Sequence, residues 1–173
     1  MLFTEYNFLD RFSAAAGHGF KGVEILFPYE WSANEIRYAL NENSLKQVLL
    51  NTPPGDLASG DRGLGAIPGR EADFFSSLQL ALEFAGILMC ERIHVMAGII
   101  EEEKEMQEAR RTFVENLKRA AVVAEKYGVD LLIEPINNKR DIPGYFLSRI
   151  SDARKIIEEI GKENVGLQLD LYH

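Results

Sequence analysis

The sequence predicts an α/β fold of the (β/α)8 TIM-barrel type, incomplete, with six β-units in one partial domain over residues 1–173. Three observations predict it. Short β-rich runs alternate with helical runs, the pattern of parallel strands joined by crossover helices. The strand runs are almost continuously apolar, as when both faces of a sheet are covered. Several of them carry a polar residue toward the downstream end (Glu24, Asn51, His94, Glu134 and Asp170), and a barrel gathers its site from many such ends.

In chain order, the strand expectations are Gly22–Phe27, Lys46–Asn51, Arg92–Gly98, Asp130–Asn137 and Val165–His173, with Met1–Thr4 read as the tail of one more. Between them lie helices with start and stop signals. Ser32-Ala33-Asn34-Glu35 fits a capping box. Arg70–Met89 sets Phe74, Phe75, Leu78, Leu82, Ala85 and Leu88 at helical spacing. Glu103–Tyr127 does the same with Met106, Phe113, Leu117, Ala121 and Ala124, and Gly128 supplies a left-handed stop. Ser151 is read as the cap of a helix that buries Ile156, Ile157 and Ile160 and ends at Gly161. Thr52–Gly69 is long for a mere connection and reads as a binding loop or lid.

Such a pattern suits either an open doubly wound sheet or a closed barrel. No Gly-x-Gly-x-x-Gly turn follows any strand, which leaves a dinucleotide fold without support. A whole barrel takes roughly 250 residues. The chain is therefore read as a barrel short of its last two strands and the front of its first.

Composition narrows the function. Lys plus Arg is 19 against 27 for Asp plus Glu, a net charge of −8, which argues against nucleic acid as a partner. No apolar run reaches the ~20 residues of a membrane helix, and no signal pattern opens the chain, so the expectation is a soluble, cytoplasmic protein without membrane attachment. Cys90, the single cysteine, is read as a buried, reduced core thiol.

The chemistry concentrates on Glu134 and Asp170. An acid closing a buried strand costs several kcal/mol of desolvation unless a metal ion, a basic partner or a proton-transfer role compensates. The plain alternatives are a Glu134 ion pair with Lys139 or Arg140 and an Asp170 that merely caps the strand end. Glu24, likewise, reads as a salt-bridge partner at the barrel mouth. His94 points either into the mouth or into packing beneath it.

Six segments together resemble the hydroxypyruvate isomerase and 2-oxo-tetronate isomerase family of xylose-isomerase-like barrels. They are Leu2–Tyr6 and Phe8–Phe12 with Gly19–Glu24, Asn51–Asp56, Gly63–Arg70, Arg92–Gly98, Ile133–Asn137 and Gln168–His173. The resemblance runs over essentially the whole chain. By that comparison the chain is clipped at both ends. It implies a divalent metal, Mg2+ or Mn2+, held by a Glu and an Asp that match Glu134 and Asp170. A Gln and a second Glu on the last two strands complete the family's set and have no counterpart here. Glu134 would also be the general base. His173 matches a histidine that contacts substrate oxygens, with His94 as a further contact.

The implied reaction interconverts hydroxypyruvate and tartronate semialdehyde, or a related 2-oxo-tetronate, by proton transfer through an enediolate. Such a small-molecule substrate carries a carboxylate, so a basic clamp is expected, Arg70 first and Lys139 or Arg140 behind it. A ketose 3-epimerase would use the same machinery. A three-metal phosphodiesterase would need more than the three histidines present. A catalytically inactive fragment is the remaining alternative. Open sheet edges would favour homo-oligomers, and turnover is expected only once a C-terminal third is supplied.

Overall fold

A computed structural model describes residues 1–173, the side chain of Glu103 excepted. Among the described residues, five strands form one parallel sheet in sequence order: β1 (Gly22–Ile25), β2 (Lys46–Asn51), β3 (Arg92–His94), β4 (Asp130–Ile133) and β5 (Val165–Leu167). Helix α1 (Asp10–Gly17) precedes β1, and α2 (Ala33–Glu42), α3 (Glu71–Leu88), α4 (Met106–Glu125) and α5 (Ile150–Ile160) make the four crossovers. This is the arrangement the alternating pattern predicts for part of an α/β barrel.

The register explains where the core and the site lie. Leu50, Ile93, Leu131 and Val165 are partners across β2 to β5 and form one buried row. They pack into the same core as Phe74, Leu78, Leu82 and Ala85 of α3 and Phe113, Leu117 and Ala121 of α4. The next row, Asn51, His94, Leu132 and Gly166, necessarily points to the opposite face. Residues two further along β4 share that inner face, which is how Glu134 comes to stand beside His94.

Several expected boundaries shift. Met1–Thr4 is not a strand. Phe3 adopts φ 59° and its carbonyl accepts from the Tyr6 N–H, a turn that sets the Phe3 ring 5.1 Å from His18 and 6.2 Å from Phe20. Burying aromatic surface on the end of α1 wins over extending the chain. Strands β1, β3, β4 and β5 stop earlier than read. After β4 the reason is Pro135, which has no N–H to continue a ladder. Ser32 is the N-cap of α2, yet its side chain makes no capping hydrogen bond, so the capping box does not form. Ser151 lies inside α5, whose N-cap is the extended Arg149. Gly128 (φ 66°) and Gly161 (φ 62°) do take the left-handed turns expected of them.

The loop between β2 and α3 is pinned along its second half. Gly63 pairs with Ala97, Gly65 N–H donates to the Met96 carbonyl at 3.1 Å, and Ala66 N–H donates to the Ala97 carbonyl at 2.7 Å. The buried Asn116 amide of α4 donates to the Gly65 carbonyl at 2.9 Å. The tip, Asp56–Gly60, is the one continuous exposed stretch of the loop among the described residues. The Asp56 carboxylate organises it, accepting from the N–H groups of Ala58 and Ser59 and from the Ser59 hydroxyl. These contacts fasten the second half of the loop to the strand ends and to α4 and leave the tip without such bonds to them. Cys90 is buried as expected, its thiol donating to the Arg92 carbonyl at 3.2 Å.

Candidate active site

Glu134 follows the last residue of β4, and Gln168 follows the last of β5. The Gln168 N–H extends the ladder to the Ile133 carbonyl at 3.0 Å, so Gln168 and Glu134 stand side by side on the inner face. Two residues on, Asp170 turns back, its carboxylate accepting from the Tyr172 N–H at 2.9 Å. That turn delivers His173. Ligand atoms of Glu134, Asp170 and His173 all lie within 4.8 Å of one another. The structure thus brings together three of the residues nominated from sequence.

His94 is the fourth neighbour. Its Nδ1 lies 3.6 Å from Glu134 Oε2, with the two side chains 2% and 7% exposed. Among the described residues Glu134 has no ion pair with Lys139 or Arg140, and its titratable neighbour at close range is His94. Glu24, among the described residues, has no ion pair. Burial raises its pKa, and Asp170 adds repulsion although the side chain is partly open to water.

The electrostatics follow from crowding acids on an apolar floor. Burial pushes Glu134 up to about 7; His173 pulls it down, Asp170 and Glu24 push it further up, and the Gln168 amide lowers it through a hydrogen bond. Burial pulls His94 down to about 3, with His173 adding to the fall. His94 is therefore a neutral imidazole at ordinary pH. Tyr145, fully enclosed, accepts the Ala97 N–H at 2.9 Å; burial and the nearby Glu134 charge raise its pKa.

Arg70 is engaged by two carboxylates, Nη1 to Asp61 at 2.7 Å and Nε to Asp73 at 2.9 Å. Asp141 was not nominated from sequence. Its carboxylate meets His173 Nδ1 at 2.9 Å and accepts from the Tyr172 hydroxyl at 3.3 Å. Gln168 was also passed over, although a polar residue two before Asp170 in an apolar strand was a readable signal.

Two carboxylates and an imidazole at these separations suit a divalent cation. Metal–ligand bonds of about 2.0–2.6 Å place ligand atoms at roughly these distances. The Gln168 Oε1 is buried without a partner. A mixed oxygen and nitrogen set fits Mn2+ or Zn2+ at least as well as Mg2+.

Comparison with known proteins agrees with this architecture. The family model described as xylose isomerase-like TIM barrel matches residues 12–173. The 2-oxo-tetronate isomerase of Cupriavidus necator is 52% identical over 173 residues, covering 100% of this chain and 66% of the relative. The hydroxypyruvate isomerase of Escherichia coli is 42% identical, covering 100% of this chain and 67% of the relative. A crystal structure named AP endonuclease, family 2, from Brucella melitensis superposes with TM-score 0.96 at 43% identity, over 99% of this chain and 66% of that one. The chain thus spans about two thirds of the length of the relatives it matches. D-psicose 3-epimerase from Clostridium cellulolyticum, 17% identical with TM-score 0.75, shares the fold.

Proposed function

The chain belongs to the xylose isomerase-like TIM-barrel family, and we propose that it supplies the proton-transfer half of an isomerase acting on a short hydroxy-oxo acid. The substrate would be hydroxypyruvate, giving tartronate semialdehyde, or a 2-oxo-tetronate, the activities named for the relatives. One observation carries the reading: a buried carboxylate, Glu134, held near neutrality within reach of Asp170 and His173. A base whose pKa lies near the working pH transfers protons most effectively.

In this reading Glu134 removes the proton from the carbon that bears the hydroxyl group, the hydroxyl proton passes to the former carbonyl oxygen, and a second acid returns a proton to the neighbouring carbon. The bonding pair left behind forms the enediolate. Glu134, Asp170 and His173 would hold the divalent cation, Mg2+ or Mn2+, which as a Lewis acid stabilises negative charge on the enediolate oxygens. His94 and His173 line the substrate's side of the site. Arg70 would clamp the substrate carboxylate only by exchanging Asp61 for it.

No helix among the described residues is long and apolar enough to cross a membrane; a cytoplasmic setting is part of the proposal. So is self-association of the 173-residue chain, because the outer edges of β1 and β5 carry no strand among the described residues. Size-exclusion chromatography reads that directly. A metal phosphodiesterase finds little support in a chain with three histidines, one of them, His18, bonded to α1.

The test is proton exchange. The chain completed with the C-terminal third of the Cupriavidus relative should interconvert hydroxypyruvate or a 2-oxo-tetronate in D2O, with deuterium entering at carbon. Glu134→Gln should slow this by about 10²- to 10⁴-fold. Absence of exchange with every such acid would reject the proposed activity.

A further inference from the structure

We propose that Asn51 is a specificity-determining residue: its carboxamide accepts a hydrogen bond from the terminal hydroxyl group of a four-carbon substrate. A 2-oxo-tetronate then fits this site better than three-carbon hydroxypyruvate. The proposal rests on the isomerase reading above and narrows its substrate class.

Asn51 closes β2 on the inner face of the sheet. It is the register partner of His94, and paired residues of parallel strands point to the same side. The backbone around it is fixed from both flanks. Its N–H donates to the Leu26 carbonyl at 3.0 Å, and its own carbonyl accepts from the Tyr29 hydroxyl. The next residue, Thr52, donates its N–H to the His94 carbonyl at 2.8 Å, and its hydroxyl accepts from the Met96 N–H at 3.3 Å. Main-chain bonds therefore hold position 51 without help from its own side chain.

That side chain carries an unmet demand. Asn51 is 5% exposed, and its Oδ1 is buried without a hydrogen-bond partner. A buried acceptor left unpaired costs free energy, and such an atom calls for a donor. An apolar side chain would avoid the cost, as Leu132 does in the same row.

The chemistry of the two candidate acids decides between them. In hydroxypyruvate one carbon is the carboxylate and the other two exchange the proton. A carboxylate offers only lone pairs and cannot supply the donor. A 2-oxo-tetronate has the same three carbons and one more, a hydroxymethyl group whose O–H takes no part in the reaction. Parallel strands lie about 4.8 Å apart, so β2 stands roughly 10 Å across the sheet from β4 and Glu134. Asn51 is thus placed for the far end of a substrate rather than for its reacting carbons.

Asn51→Leu keeps the volume and removes the acceptor. In the chain completed with the C-terminal third of the Cupriavidus relative, the ratio of kcat/KM for a 2-oxo-tetronate to that for hydroxypyruvate should fall about 10-fold or more. A residue that only supports the fold would lower both alike and leave the ratio where it was. A second readout needs no turnover. With Mn2+ present, the 173-residue chain should bind a 2,3,4-trihydroxy four-carbon acid about 10-fold more tightly than glycerate, and Asn51→Leu should lose that preference. Thermal unfolding checks that the variant is folded, and Asn51→Ala serves as a second test of the same ratio. An unchanged ratio and preference in both variants would overturn the proposal and leave an ordered water as the partner of Oδ1. A completed parent that turns over neither acid would reject the isomerase reading, and the binding preference would then decide for or against the Asn51 contact. A parent that neither turns over nor binds any of these acids would overturn both.

Discussion

The ring of His173 is held by a residue 32 positions earlier in the chain: its Nδ1 lies 2.9 Å from Asp141 Oδ2. The other oxygen of Asp141 accepts from the Tyr172 hydroxyl. A carboxylate behind a histidine fixes the tautomer and orientation of the ring and raises its basicity toward a cation. Asp141→Ala should therefore weaken Mn2+ binding by about 10-fold or more. Because the pair is partly open to water, global stability should change by no more than about 1 kcal/mol. Calorimetric titration beside thermal unfolding separates the two effects.

Glu134 and His94 give the metal-free chain opposing pH responses. Glu134, raised to about 7 from 4.5, binds its proton more tightly when folded, so its contribution to stability is lost as pH rises through about 7. His94, lowered to about 3 from 6.5, takes a proton more readily when unfolded, so stability is lost as pH falls below about 6.5. Between pH 4.5 and 6.5 the two slopes oppose each other. Glu134→Gln should expose the His94 slope, making the chain progressively less stable from about pH 6.5 downward, and should be the more stable protein at pH 8 by on the order of 2–3 kcal/mol. Denaturant melts at pH 4.5, 6.5 and 8 with a chelator present would show it. A variant that matches the parent at pH 8 would contradict the raised Glu134 pKa.

The fold was legible because parallel strands covered on both faces must be apolar along their middles, and Val48–Leu50 and Leu131–Ile133 are. The acids Glu134 and Asp170 stood out for the same reason, as charges in runs that otherwise bury everything. Local signals failed where tertiary contact decided the conformation: Phe3 folds back onto aromatic partners, and Ser32 leaves its capping bond unmade. Asp141 was invisible for another reason. It lies in a polar loop where an aspartate is ordinary, and its role exists only because the turn after Asp170 brings His173 to it.

Gly63 is where the β2–α3 loop meets the end of β3. It adopts φ 122°, and an added Cβ would lie 2.5 Å from the Met96 carbonyl oxygen. Neither backbone can move without breaking the bonds of Gly65 and Ala66 to Met96 and Ala97. Gly63→Ala should destabilise the chain by about 2–4 kcal/mol, a fall in Tm of roughly 5–15 °C. By contrast, Gly60→Ala at the exposed tip meets no neighbouring atom and carries only the strain of its positive φ. Thermal melts of the two variants should differ accordingly; equal losses would show that the seam at Met96 is not what holds the loop.

Arg70 closes that loop with both ends of its guanidinium engaged, by Asp61 and Asp73. Asp61 also accepts the Asp56 N–H at 2.8 Å, so one carboxylate ties the tip to the start of α3. A lysine presents a single point charge and cannot hold both acids in the same fork geometry. Arg70→Lys and Arg70→Ala should therefore free the tip, seen as faster proteolytic cleavage within residues 56–62, with a stability loss of no more than about 1 kcal/mol because the pairs are partly exposed. If Arg70 also clamps the substrate carboxylate, Arg70→Ala in the completed chain should raise KM by about 10-fold or more while leaving kcat little changed, the signature of lost uniform binding. Asp61→Asn should act in the opposite direction: removing the competing charge releases the guanidinium, and KM should fall. A KM unmoved by either substitution, together with faster cleavage of the tip, would assign Arg70 to bracing the loop alone.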